Sequence, residues 1–179
     1  MSEQPELVEV TDLSLLPAIG RLRVRAWQTE LSQPPTMESW LDDWDATARH
    51  WAFLLAGQPV AAARMTIHDS LETLPDAPVY AGIFPEPPPG PIASLNRLVV
   101  DPAFRRGGMG TALDRIRIAA AEAAGCRSIV GSSSADRRIA QLQSHGFIIV
   151  GRQNKNPQPI YRERGLQAVL WLPLPREQS

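Results

Sequence analysis

Among its 179 residues the chain has one cysteine, one lysine and three histidines, and each scarcity narrows what the protein can be. A lone thiol, Cys126, excludes an internal disulfide and suits a reducing compartment. It follows Gly125 at a helix-to-strand junction, where a small buried hydrophobe is expected. With Lys155 the only lysine, cationic character rests on arginine, whose planar fork matches phosphate and carboxylate. The formal net charge of -1 carries no basic bias of the kind a nucleic-acid binder needs. No apolar run approaches the length of a membrane span, and the N-terminal Met-Ser-Glu-Gln-Pro-Glu is acidic, unlike a signal peptide. A soluble cytoplasmic protein is therefore expected, with no membrane or nucleic-acid partner and no metal site.

What is present is enough to build one core. Hydrophobic residues make up 44% of the chain, and a length of 179 residues is most simply one domain, 1–179. Leu7 to Val10 reads as a short strand. Thr11 or Asp12 then caps a helix with Leu15, Leu16, Ile19, Leu22 and Ala26 on its apolar face and Arg21, Arg23 and Arg25 on its polar face. A second helix is expected from about Thr36 to Arg49, with Trp40, Leu41 and Trp44 at helical spacing. The period then changes to that of strands, Trp51 to Ala56 and Val60 to Ile67, around a Gly57-Gln58-Pro59 turn. Residues 75–91 hold seven prolines and must form an extended loop, either a surface connection or a wall of a substrate cleft. From Ile92 the order is strand, helix, strand, helix, strand: Ile92 to Val100, Gly108 to Ala124, Arg127 to Ser132, Asp136 to His145, and Phe147 to Arg152. Gly125 and Gly146 sit where helix C-caps belong, and Ala168 to Leu174 adds a last strand.

The segment Leu98-Val-Val-Asp-Pro-Ala-Phe-Arg-Arg-Gly-Gly-Met-Gly-Thr111 carries the chemistry. It joins a strand to a helix whose apolar positions Met109, Leu113, Ile116 and Ala120 recur every three or four residues. Gly107, Gly108 and Gly110 let backbone approach an anion closely. The unpaired N–H groups and positive dipole end of the helix add donors, so the turn suits a pyrophosphate. It is not a P-loop, since no Gly-x-x-x-x-Gly-Lys-Ser/Thr occurs. Nor is it a dinucleotide fingerprint, since the third glycine is missing.

Arg105, Gly108 and Gly110 reproduce an Arg/Gln-x-x-Gly-x-Gly/Ala pattern, and Val100, Pro102 and Arg105 a preceding Val-x-Pro-x-x-Arg spacing. In both, the segment resembles the acetyl-CoA signature of the GCN5-related N-acetyltransferases, the GNAT superfamily. The resemblance covers the C-terminal half in motif and the N-terminal half in element order. It implies a mixed α/β (α+β) fold, a largely antiparallel sheet flanked by helices. Two parallel strands, ending at Val100 and running from Arg127 to Ser132, would splay to admit acetyl-CoA or another acyl-CoA as cosubstrate. It also implies cofactor contacts through Leu98, Val99, Val100, Arg105, Arg106, Gly107, Gly108, Met109, Gly110 and Thr111, mostly by main chain.

Two departures bear on catalysis. Relatives often carry a glutamate on one of the splayed strands, but Ser94, Asn96 and Arg97 occupy the first and Ser132, Ser133 and Ser134 end the second. Many also carry a tyrosine four residues before the glycine matching Gly146, to protonate the departing sulfur, and here Leu142 stands there. A thiolate is a tolerable leaving group at a thiol pKa of about 8.5, so Leu142→Tyr is expected to be tolerated. The catalytic residues stay open. His68, with Asp69 and Glu72, or waters held by the serines are candidate bases; Ser144 and His145 are candidate acids. His145 reads equally as a favourable charge at a helix C-terminus. Arg97, inside an apolar strand, needs a carboxylate partner or must face an acceptor carboxylate, and Tyr161 is a further substrate-site candidate.

The expected activity is transfer of acetyl to a primary amine of a small molecule or peptide by direct attack in a ternary complex. Two alternatives stand beside it. One is a longer-chain acyltransferase resembling acyl-homoserine-lactone or N-acyl amino acid synthases. The other is a noncatalytic acyl-CoA sensor. A homodimer through exposed sheet edges stays open.

Overall fold

The computed structural model describes residues 4–32 and 34–175. A seven-stranded sheet has the order β1-β2-β3-β4-β5-β7-β6: β1 (Glu6–Glu9), β2 (Arg49–Leu55), β3 (Gln58–His68), β4 (Ile92–Val100), β5 (Ser128–Ser133), β6 (Ile148–Gln153) and β7 (Gln167–Pro173). The pairs β1–β2, β2–β3, β5–β7 and β6–β7 are antiparallel, and β4–β5 is parallel. The helices are α1 (Leu16–Gln28), α2 (Met109–Ala123), α3 (Asp136–Ser144) and the single turn α4 (Pro159–Arg162). This is the mixed sheet, with a parallel pair at β4–β5, that the resemblance implied. The chain folds as two compact units, residues 1–65 with 96–114 and residues 66–95 with 115–179, and β3, β4 and α2 each run through both.

In the first unit Asp12 caps a 3-10 turn (Leu13–Leu15) by accepting from the Ser14 amide, and α1 continues from it. Ile19, Leu22 and Ala26 bury the apolar stripe of α1 against Val10, Ala52, Ala62 and Val99. Arg23 does not belong to the polar face. It is 1% exposed and lies within the buried stripe. The β2–β3 hairpin turns through Ala56 and Gly57, both left-handed at φ 48° and 73°, the conformation that suits a two-residue hairpin. Gln58 and Pro59 already belong to β3.

The helix expected from Thr36 to Arg49 is absent. Only Asp43–Ala46 forms a 3-10 turn, and Arg49 already opens β2. Two local bonds explain this. The Trp40 amide donates to the Gly20 carbonyl at 3.1 Å, tying the segment against α1. Asp42 then starts a reciprocal capping box with Asp45. Trp40 is buried while Leu41 and Trp44 are exposed, so helical spacing in the sequence does not give them a common face.

In the second unit the proline-rich segment is more than a surface connection. It forms a 3-10 turn at Ala77–Val79, after one at Leu71–Thr73 just before it, and its Val79 and Tyr80 join Leu74, Ile92, Val130 and Val169 in a core cluster. Gln153 on β6 donates from its side-chain amide to the Val79 carbonyl, and Phe84 meets Trp171 edge-on at 6.3 Å. Gly125 and Gly146 end α2 and α3 at φ 75° and 96°, the left-handed C-cap conformation. Cys126 is buried, as a small hydrophobe would be. Among the described residues no helix is long and apolar enough to cross a membrane.

Candidate active site

The Gly-rich turn is built in steps from the end of β4. Asp101 accepts from the Ala103 amide at 3.0 Å and so caps a 3-10 turn, Pro102–Phe104. Arg106 and Gly108 are both left-handed, at φ 70° and 77°. For arginine that conformation costs on the order of 1–2 kcal/mol, and it persists because its neighbours are fixed. A Cβ at Gly108 would meet nothing within 4 Å, which leaves open space on that side of the turn. The Ala112 amide makes a helical bond to the Gly108 carbonyl at 3.0 Å, so the Met109, Gly110 and Thr111 amides lie in the opening turn of α2. Amides in the opening turn of a helix sit at its positive end. The turn therefore meets the requirements of an anion cradle made of main chain.

Arg105 is held elsewhere. Its guanidinium donates to the Ala26 carbonyl at 2.8 Å and pairs with Glu30, just beyond the C-terminal end of α1. This charge suits a helix C-terminus. Arg25 reaches the other oxygen of Asp101 at 3.3 Å. Two arginines thus fasten the turn to α1, leaving Arg106, exposed at the tip, as the arginine facing solvent.

Upstream, Leu98 and Val100 are half-buried and Val99 packs in the core. Arg97 is left-handed inside β4, at φ 54°, which bends the strand at that residue. Its guanidinium donates to Asp42 at 2.8 Å, lies 5.1 Å above the Trp40 ring, and is 4% exposed. An acceptor carboxylate would have to displace Asp42 to reach it.

Asp42 belongs to a buried network that sequence reasoning missed. Arg64 binds both Asp42 and the Asn96 side chain and lies 3.1 Å from Asp45. Arg23 makes a two-pronged pair with Asp45. Burial alone would push the Asp45 carboxyl up, but Arg23 and Arg64 hold it well below the usual carboxylate range. The His50 ring donates from Nε2 to the Asp45 carbonyl at 2.9 Å, and burial lowers its pKa, keeping it neutral. The signal was legible in part. Arg23 falls on the Ile19, Leu22, Ala26 stripe, a place for arginine only with a partner.

In the second unit the parallel pair is in register over Ile92–Ser128, Ala93–Ile129 and Ser94–Val130. Tyr80, fully buried, is hydrogen-bonded to the side chains of Ser94 and Ser132. Ser133 accepts from the Ala135 amide at 3.1 Å and so leads into α3. Ser144 donates to the Gln141 carbonyl of its own helix at 2.6 Å, and the His145 amide closes that helix on Leu142. Leu142 is 2% exposed. At the end of β3, burial lowers the His68 pKa, with Asp69 opposing, while Asp69 and Glu72 are exposed. Tyr161 is half-buried in α4. Among the described residues no cluster of His, Cys, Asp and Glu could hold a metal ion.

Comparison with known proteins supplies the context. The sequence pattern described as the acetyltransferase (GNAT) family matches residues 16–147. Curated protein sequences give no match. Among solved structures, the chain is similar to the GphF GNAT-like decarboxylase in complex with isobutyryl-CoA, at 22% identity and a TM-score of 0.67, over 94% of this chain and 99% of that one. It is similar to a ribosomal-protein-alanine N-acetyltransferase of Escherichia coli at 20% identity and 0.64, over 98% and 97%. It is also similar to a chain of the NatC complex bound to Gag peptide and CoA, at 16% identity and 0.64, over 97% and 99%.

Proposed function

Because the chain belongs to the acetyltransferase (GNAT) family, we propose that it transfers acetyl from acetyl-CoA to a primary amine by direct attack in a ternary complex. The observation that carries this reading is the turn at Arg106 to Gly108. Two left-handed residues there lead straight into the opening amides of α2. The Met109, Gly110 and Thr111 amides would hold the CoA pyrophosphate, with Arg106 adding a charge from the exposed side. Leu98, Val99 and Val100 would pair through their backbone with the amide-rich pantetheine arm, as a strand would. A backbone N–H of β4 would polarise the thioester carbonyl.

The chemistry then asks little of side chains. A carbon–nitrogen bond forms as the neutral amine attacks the thioester carbon, the attacking nitrogen gives up a proton to water or a base, the carbon–sulfur bond breaks, and CoA departs as thiolate. Because a thiol pKa is about 8.5, departure at neutral pH does not require a donor at the position of Leu142. An amine of pKa about 10.4 must first lose a proton to water or a base. His68, with its pKa lowered by burial, stays one candidate base, beside Ser144 and His145 as candidate acids.

The test is thermal unfolding of the purified protein with CoA and acetyl-CoA, followed by CoA release against a panel of small amines and peptide N-termini. A ligand bound only by the native state at 100 times its Kd stabilises by about 2.7 kcal/mol, a readily measured rise in the midpoint. Stabilisation by both thioester and CoA, with acceptor-dependent CoA release, is expected. Stabilisation without release for any amine would favour a noncatalytic sensor. No stabilisation at all would remove the acyl-CoA reading.

A further inference from the structure

Inside β4, Arg97 has a left-handed backbone at φ 54°, a conformation disfavoured about five- to thirtyfold for a residue with a Cβ. The residue is nonetheless fixed through its side chain. Its guanidinium donates from Nη2 to Asp42 Oδ2 at 2.8 Å and lies 5.1 Å above the Trp40 ring. Both partners are themselves held. The Trp40 amide donates to the Gly20 carbonyl at 3.1 Å and the Trp40 carbonyl accepts from Arg23 Nη1 at 3.0 Å, so α1 grips that residue on both sides. The Asp42 amide donates to the Asp45 carboxylate at 2.9 Å, and Asp42 Oδ1 accepts from the Trp44 amide at 3.0 Å. Beyond Arg97 the chain runs through Leu98–Val100 into the turn that Arg25 and Arg105 fasten to the same helix. All of these residues belong to one compact unit.

We propose that Trp40 and Asp42 clamp Arg97 so that β4 keeps its bend, and that the bend sets how the Leu98–Val100 backbone meets the pantetheine arm of the cosubstrate. Arg97 is then a positioning residue, whose charge serves the path of β4 rather than an acceptor carboxylate. The inference rests on the acyl-CoA reading above, in which the arm pairs with those three residues as a strand would. Successive residues of a strand present their N–H and C=O groups to opposite edges, so a bend at one residue decides which groups beyond it face the ligand. A strained backbone persists only where its surroundings over-determine it, and here the surroundings are α1 and the segment before β2. Without the clamp only a fraction of molecules would hold the bend, and apparent affinity falls by that fraction.

The experiment measures the affinity of the full-length protein for CoA by calorimetry, at a temperature where each variant is folded. The variants are Arg97→Ala, Arg97→Gly, Asp42→Asn and the double variant Asp42→Asn with Arg97→Gly. Alanine and glycine both remove the guanidinium, but only glycine takes a positive φ without strain. Expected is a loss of about five- to thirtyfold in Arg97→Ala and recovery of most of it in Arg97→Gly. Asp42→Asn keeps an oxygen for the Trp44 amide while turning a donor toward Arg97, so it should weaken CoA binding in the same direction. Adding Arg97→Gly to it should restore the affinity, because a bend made by glycine needs no clamp. Equal losses in Arg97→Ala and Arg97→Gly would show that the guanidinium itself carries the binding, and would overturn the proposal. Wild-type affinity in Arg97→Ala or in Asp42→Asn would overturn it too. In these cases the wild type still binds CoA, so the acyl-CoA reading survives. Absence of wild-type CoA binding is a different result and overturns both.

Discussion

Arg23 and Asp45 meet through two parallel hydrogen bonds, Nη1 to Oδ2 and Nη2 to Oδ1, each 2.8 Å long, with side chains only 2% and 3% exposed. The pair joins the middle of α1 to the 3-10 turn before β2. Through Arg64 and Asp42 the same network reaches Arg97 on β4. Three arginines and two aspartates leave it one positive charge in excess with His50 neutral. Nothing in that arrangement tolerates loss of a carboxylate.

Asp45→Ala should therefore destabilise the protein by about 3–5 kcal/mol, the range for breaking a buried pair and stranding its partner. Replacing both members, Arg23→Met with Asp45→Leu, should cost less than Asp45→Ala alone, because the excess of positive charge does not grow. Denaturant unfolding of the single and double variants measures both. A loss below about 1 kcal/mol for Asp45→Ala would put the pair in the class of exposed ion pairs.

The same network makes stability depend on pH, and the sign follows from the directions of the shifts. His50 has a folded pKa below its ordinary value, chiefly through burial. Its neutral form therefore contributes stability that is full above the unfolded value of about 6.5 and is lost as pH falls from there through the lower folded value. Asp45, also lowered, contributes stability that is lost only under far more acid conditions, as pH falls through its folded value. Between pH 7 and 5 the slope should come from histidine, at most about 1.4 kcal/mol per pH unit for each. His50→Gln should flatten most of it, and His68, lowered in the same direction, should leave a remainder. A slope unaltered by His50→Gln would show that the His50 pKa is the same in the folded and unfolded chain.

Gly110→Asp should weaken CoA binding by tenfold or more, equivalent to at least about 1.4 kcal/mol. It puts a carboxylate in the first turn of α2, where the proposed pyrophosphate needs amides and an absence of negative charge. Calorimetry with CoA checks it, and a folded variant of unchanged affinity would remove the pyrophosphate from this turn.

Element order from β2 onward was legible because the signals were local: an alternating period, Gly125 and Gly146 at helix ends, and the Gly-rich turn before α2. The segment before β2 misled for a physical reason. Trp40, Leu41 and Trp44 repeat at helical spacing, but Gly20 captures the Trp40 amide and Asp42 restarts the chain. Arg23, Arg64 and Arg97 meet their carboxylates across stretches of chain that no local pattern connects. Tyr80 was hidden in the same way, since nothing in a proline-rich run tells that one aromatic turns inward to two serines on different strands.

Arg105 distinguishes a guanidinium that binds the ligand from one that holds the loop. With its donors on Ala26 and Glu30, Arg105→Ala should lower CoA affinity only severalfold, by loosening the turn from α1. Stability should fall by no more than about 1 kcal/mol, the range for a partly exposed ion pair. Glu30→Gln should act in the same direction, because the fastening has two ends. A loss of affinity above a hundredfold in Arg105→Ala, with Glu30→Gln tightening binding, would mean that the guanidinium leaves Glu30 for the pyrophosphate.

Leu142→Tyr tests whether the absent tyrosine could simply be restored. Sequence alone made the change look harmless, because many relatives carry a tyrosine at the matching position and thiolate leaves tolerably without a donor. In the fold Leu142 is 2% exposed, its carbonyl accepts the amides of His145 and Phe147, and its side chain belongs to the core rather than to a cleft. A tyrosine there adds volume to a packed site and buries a hydroxyl with no acceptor prepared for it. Overpacking of this kind costs about 1–3 kcal/mol. The expected outcome is a lower unfolding midpoint with no gain in turnover at any pH. A variant as stable as the wild type and faster at low pH, where a phenolic donor would help the sulfur leave, would mean that α3 rotates to present position 142 to the thioester.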